Sequence, residues 1–142
     1  MKIRTCFVLL SLAAVAGGCA ITQTVKPVSA TGITEICVKN NPQVIMADFS
    51  KELRSQIEKK GIRTTAYDGE RPAVCRHHLE YTANWRWDMA MYLVFAEVSV
   101  YESGLLVGQA TYDAHSGGGR LDKFGATGEK LRGMLDPLFA RR

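Results

Sequence analysis

The sequence predicts an α+β domain, a two-layer sandwich in which a mainly antiparallel sheet of four to five strands carries two helices on one face. Three observations predict it. From Arg76 to Asp113 apolar and polar residues alternate with the period of a strand, interrupted by two short turns, so three long strands follow one another. Two other stretches, 45–57 and 121–139, repeat their apolar residues at helical spacing instead. The chain has 142 residues and no stretch of membrane-spanning length after its start, which leaves room for one domain and one core.

The first eighteen residues read as a signal peptide. Lys2 and Arg4 give a positive start, Cys6 to Ala16 form an apolar run of about eleven residues, and Ala16-Gly17-Gly18 are small. The run is too short for a stable anchor, since a span needs roughly twenty residues. From Cys19 to Gly32 the composition is Thr, Ser, Val, Lys and one Pro without helical or alternating order, so 19–32 is expected to be a tether and 33–142 the domain.

Within the domain, Ile33 to Lys39 is rich in β-branched residues and reads as a first strand. Asn41 then offers an N-cap with Pro42 at the first helical position. Ile45, Phe49, Leu53 and Ile57 make one apolar stripe, and Lys59-Lys60-Gly61 a basic last turn with a closing glycine. A short strand, Ile62 to Tyr67, precedes the turn at Asp68-Gly69.

The first long strand places Leu79, Tyr81, Ala83, Trp85 and Trp87 on one face; the rings are read as filling the core, Trp87, nearest the turn, being the one expected to be exposed. After a reversal at Asp88-Met89, Tyr92, Val94, Ala96, Val98 and Val100 form the apolar face of the second. The third, Leu105 to Asp113, sets Leu106, Gly108, Ala110 and Tyr112 together, and a glycine loop, Ser116 to Gly119, leads to the final helix.

Met91, Leu93 and Phe95 are apolar as well, on the face opposite Tyr92 and Val94. A sheet covered on one side needs only one such face, so this second row is expected to be covered by the N-terminal segment, a partner protein or a second copy. Trp87, Met91, Leu93 and Phe95 are therefore the candidate partner surface.

Removing Lys2 and Arg4 from the 18 basic residues leaves 16 against 14 acidic ones, a mature formal charge near +2 that does not call for nucleic acid. After Cys6 and Cys19, only Cys37 and Cys75 remain. An oxidising compartment would join them, and two buried free thiols are the alternative that spacing leaves open. Cys75-Arg76-His77-His78 makes a poor metal site, because adjacent strand residues point to opposite faces, and no metal or cofactor is expected. The glycine loop lacks the spacing and lysine of a phosphate loop and reads as a flexible connector. There is no Gly-x-Ser-x-Gly, His-Glu-x-x-His or activated cysteine, so a non-catalytic role is expected, the alternative being an enzyme with a site near Asp113 and His115.

Ala16-Gly17-Gly18-Cys19 resembles the lipobox that lipoprotein signal peptidase cuts immediately before the cysteine, with Ala16 standing where Leu is usual. With the strand Tyr81-Thr82-Ala83-Asn84-Trp85-Arg86-Trp87-Asp88, the chain resembles a family of small proteobacterial outer-membrane lipoproteins for which no activity is established. The resemblance implies acylation of Cys19 and an envelope location without enzyme activity. Ala20 in place of Asp after the cysteine implies export to the outer membrane, facing the periplasm or the cell surface. It supplies no active-site residues.

Overall fold

The computed structural model describes residues 20–140; the expected signal peptide, 1–18, and Cys19 lie outside the described residues. The chain runs through β1 (Thr22–Lys26), β2 (Glu35–Lys39), α1 (Asp48–Glu58), β3 (Arg63–Tyr67), β4 (His77–Asp88), β5 (Ala90–Glu102), β6 (Leu105–Asp113), a short 3-10 turn (Leu121–Phe124) and α2 (Thr127–Leu138). One sheet of six strands has the order β1-β6-β5-β4-β2-β3. Its centre is antiparallel, while β2 pairs parallel with both β3 and β4. The fold is the expected α+β arrangement with both helices on one face, and the core lies between helices and sheet. Ile36, Val38, Leu79, Tyr81, Ala83, Val98, Val100 and Ala110 meet Phe49, Leu53, Ile57, Leu131, Met134, Leu135 and Leu138 there.

The sixth strand is β1, inside the stretch expected to be a tether. Thr22, Gln23 and Thr24 carry no apolar signal, but they pair along β6 from Asp113 to Thr111, and Val25 packs on the core beside them. The next turn of chain is held as firmly. Val28 N–H donates to Leu138 O at 2.8 Å, and Ser29 N–H to Val107 O at 3.0 Å. Gly108 allows this crossing, since a Cβ there would stand 2.9 Å from the Val28 Cα.

α1 begins at Asp48, later than the Asn41-Pro42 pair suggests. Asn41 closes only a local turn, its Oδ1 accepting from Gln43 N–H at 3.0 Å, while its Nδ2 donates to Tyr81 O at 2.9 Å. The loop is thereby tied to the sheet, and Ile45, counted in the helical stripe, is 72% exposed. The final helix is also shorter than expected. Gly125 and Ala126 are extended between the 3-10 turn and α2, and Pro137 stands in the last turn of α2.

Cys37 and Cys75 are bonded, with their Cα atoms 5.8 Å apart. The bond ties the 68–76 loop to β2 on the face away from the helices, where both cysteines pack with Tyr67. Closing a loop across a sequence separation of 38 contributes roughly 2–4 kcal/mol.

Candidate functional site

β4 and β5 are the longest strands of the sheet, with 12 and 13 residues, and their hairpin outruns both its neighbours and its helical cover. β6 stops where Asp113 pairs with Phe95. Phe49, in the first turn of α1, meets Tyr81 at 5.5 Å and the edge of Trp85 at 5.4 Å between ring centres. Lys130 of α2 reaches as far as the Leu93 carbonyl, at 3.3 Å. Beyond Trp85 and Leu93 the alternation of β4 continues with no layer left to bury it.

The next pair outward is Trp87 with Met91, and the turn between the strands is Met89. They are 72%, 45% and 87% exposed. Met89 has φ 61, a left-handed conformation that costs a residue with a Cβ about 1–2 kcal/mol and that glycine or asparagine would adopt more readily. A large apolar side chain is thus kept at a strained and solvated position, where local folding favours another residue. Such an outlier motivates a hypothesis of function; Ser103, in the β5–β6 turn, is left-handed as well, but it carries no large apolar side chain.

Four residues were expected to form this surface, and the structure divides them. Asn84 pairs with Phe95 and Trp85 with Leu93, so β5 carries one extra residue, Val94, as a bulge. The bulge reverses the phase of the alternation. Leu93 turns into the core with Ala96, Val98 and Val100 and is 1% exposed, so it belongs to no surface. Phe95 stays on the opposite face, half-buried, its ring 6.1 Å from that of His115. The expected second apolar row does not exist as one face. Trp87 and Met91 remain together at the tip, and Met89 joins them. Sequence reasoning saw only a turn at Met89, although a methionine where a tight hairpin favours glycine was the available signal.

The tip is braced from below. Lys123, almost wholly buried, donates to Asp88 Oδ2 at 2.6 Å and to Gly118 O at 2.7 Å, and its ammonium lies 5.2 Å from the Tyr92 ring centre and 5.0 Å from that of Phe124. Lys130 donates to the Lys123 carbonyl and lies over Tyr112, and burial lowers its pKa. Asp88 immediately precedes Met89, so the ion pair fixes the turn that presents it. The glycine loop packs as part of this brace. Gly117 N–H donates to Ala114 O at 2.9 Å, and a Cβ on Gly117 would crowd that same oxygen and come within 3.3 Å of Ile21.

Asp113 and His115 form a local turn. One carboxylate oxygen of Asp113 accepts from both the His115 N–H and its Nδ1, each at 2.8 Å, and the backbone bond above all holds the carboxyl below its ordinary pKa. Both side chains are well exposed. Two shallow concavities lie elsewhere: one of about 580 Å3 beside Glu35, Glu58, Ile62 and Arg63, and one of about 240 Å3 beside Asn41, Val44, Met46 and Tyr81. Cys75 is committed to the disulfide, while His78 stacks on Tyr101 at 4.8 Å with its pKa lowered first by burial and then by Arg71. Among the described residues no group of three or more His, Cys, Asp or Glu could hold a metal ion.

No family model matches the chain. No curated protein matches it in sequence. Among solved structures, the chain is similar to PelC from Paraburkholderia phytofirmans, which is a dodecamer. A leucine-to-methionine variant of PelC is 16% identical with a TM-score of 0.55, covering 87% of this chain and 98% of that one. A second PelC dodecamer from the same organism is 15% identical with a TM-score of 0.52, covering 87% and 99%. At that identity the likeness establishes a shared fold.

Proposed function

We propose that the chain is a lipoprotein of the bacterial outer membrane, held by acylation of Cys19, whose domain binds an envelope component through the β4–β5 tip and performs no chemistry. The strained, exposed Met89 between Trp87 and Met91 is the observation that carries this reading. The lipobox-like Ala16-Gly17-Gly18-Cys19 supports the anchor, and the Cys37–Cys75 bond fits an oxidising compartment. No described helix is long and apolar enough to cross a membrane; the anchor in this reading is the lipid on Cys19. Cys19→Ala is expected to move the protein from the membrane fraction to the soluble one and to remove the acyl mass from the mature chain. An unchanged membrane fraction refutes the anchor. Replacing Trp87 and Met91 by Ser and Met89 by Gly is expected to abolish binding at the envelope while the circular dichroism spectrum is kept. Undiminished binding refutes the assignment of the tip.

A second reading is self-association. Leu105, Leu106 and Val74 are exposed apolar residues at the opposite end of the long strands, where Ser103 N–H donates to Arg76 O at 2.9 Å. One end of a molecule meeting the other end of the next makes a heterologous contact that closes into a ring or runs on as a filament. The PelC dodecamers give that reading a precedent in a similar fold. Light scattering of the mature chain tests it, and a monomer at all accessible concentrations refutes it.

A further inference from the structure

The register of the sheet fixes where the chain leaves the membrane anchor, and that place is beside the tip. Thr22 pairs with Asp113, Asp113 with Phe95, and Phe95 with Asn84, a single row across β1, β6, β5 and β4. Going from Thr22 towards Ala20 is the same direction as going from Asn84 towards Asp88, because β1 and β4 are each separated from the antiparallel β6–β5 pair by one further reversal. Asp88 stands about 13 Å beyond that row at about 3.3 Å per residue, and Ala20 precedes the start of β1 by two residues, with Cys19 directly before it. Sideways, three strand spacings of about 4.8 Å put β1 about 14 Å from β4.

The space between is filled by protein. Ile21 lies against Gly117, the next carbonyl, Gly118 O, accepts from Lys123, and Lys123 pairs with Asp88. Leu121, two residues before Lys123, is 82% exposed at this same end. One end of the molecule therefore holds both the start of the anchored chain and the apolar side chains Trp87, Met89, Met91 and Leu121.

Resting on the reading of Cys19 as the acylated residue, we propose that the β4–β5 tip inserts into the headgroup region of the same bilayer that holds the anchor, so that the long strands stand up from the membrane. Each residue type suits that place. Trp87 offers an apolar ring with an N–H edge, the combination favoured at membrane interfaces. The two methionines are flexible and apolar. Arg86, exposed on the adjoining face and without an ion pair among the described residues, is placed to meet lipid phosphate. A short acyl anchor leaves a domain free to tumble, whereas an anchor and a tip a few strands apart hold it in one orientation.

The test uses the mature chain from Cys19, coupled through that thiol to a maleimide lipid, since the other two cysteines are bonded to each other. Vesicles of phosphatidylethanolamine and phosphatidylglycerol are made with and without bromine near the headgroup end of the acyl chains. Trp85→Phe leaves Trp87 as the only tryptophan. Its emission is expected to shift to the blue and to lose about half its intensity on the brominated vesicles, the quencher lying at the depth of an interfacial ring. Unchanged emission on vesicles to which the protein is demonstrably coupled overturns the proposal. A blue shift without bromine quenching overturns it too, in favour of a second copy covering the tip. Should Trp85→Phe fail to fold, the difference between the parent and Trp87→Phe reports the same signal. The coupling is made in vitro, so the result does not depend on acylation in the cell; the mass of the protein purified from membranes decides that separately.

Discussion

The two halves of the β4–β5 hairpin are built from the same kind of sequence and have opposite fates. In the half under the helices, Leu79, Tyr81, Ala83, Val98 and Val100 are buried, and in the half beyond them Trp87, Met89 and Met91 stand in solvent. Hydrophobicity does not distinguish the halves. Cover does: the helical layer ends at the level of Trp85 and Leu93, and the alternation continues past it. An apolar residue in the first half stabilises the fold, while one in the second contributes little to it, and under the proposal its role is contact outside the chain.

Leu93 and Met91 lie two residues apart on either side of this boundary and make the largest contrast. Leu93→Ala leaves a hole in the core and is expected to cost about 2–5 kcal/mol, whereas Met91→Ala is expected to cost less than about 1 kcal/mol. Urea unfolding of the two variants measures both. Equal losses would mean that the tip is part of the core.

The disulfide lies far from the boundary and sharpens the comparison from the other side. Replacing Cys37 and Cys75 together by Ala is expected to lower stability by roughly 2–4 kcal/mol. The emission of Trp87 in solution should not change. If it did, the tip would depend on the opposite end of the sheet.

Acid is expected to act on the sheet through His78. Burial lowers the His78 pKa below its ordinary value near 6.5. Between the lowered value and 6.5 the unfolded chain binds more protons than the fold does, so stability is expected to fall as pH drops through that window. His78→Gln should flatten the fall. A parent and variant with the same pH profile would show that the imidazole titrates alike in both states.

Met89→Gly is the smallest expected effect on stability. It relieves the left-handed strain but adds freedom to the unfolded chain, so the free energy of unfolding should stay within about 1 kcal/mol of the parent. Binding at the tip should weaken nonetheless, and a loss of stability without a loss of binding would reverse the meaning given to this residue.

Most of the architecture could be read from residue order, and what could not has identifiable causes. The period of β4 was plain because Leu79 to Trp87 alternate with polar residues without a break. β5 misled because both of its faces are apolar from Met91 to Phe95, so the chain carries no mark of where Val94 slips the register. β1 is Thr, Gln and Thr at an edge, where pairing with β6 supplies the order that composition does not. The N-terminal signature at Asn41-Pro42 is genuine, yet the pull of Asn41 on Tyr81 O spends it on a turn. Of the candidate surface, Trp87 is exposed as its place near the turn predicts, and Met91, counted in the second apolar row, is exposed beside it. Leu93 was misplaced by the bulge, and Met89 was passed over because its backbone conformation is visible only in three dimensions.

Peroxide oxidation of the methionines, read residue by residue on the Cys19-coupled chain with and without vesicles, tests most directly whether the bare tip is dressed for a lipid surface. The account predicts that Met89 and Met91 are oxidised readily in solution and several-fold more slowly on vesicles, while half-buried Met46 reacts alike in both and core Met134 reacts slowly in both. Equal oxidation of Met89 and Met91 in the two conditions would contradict it.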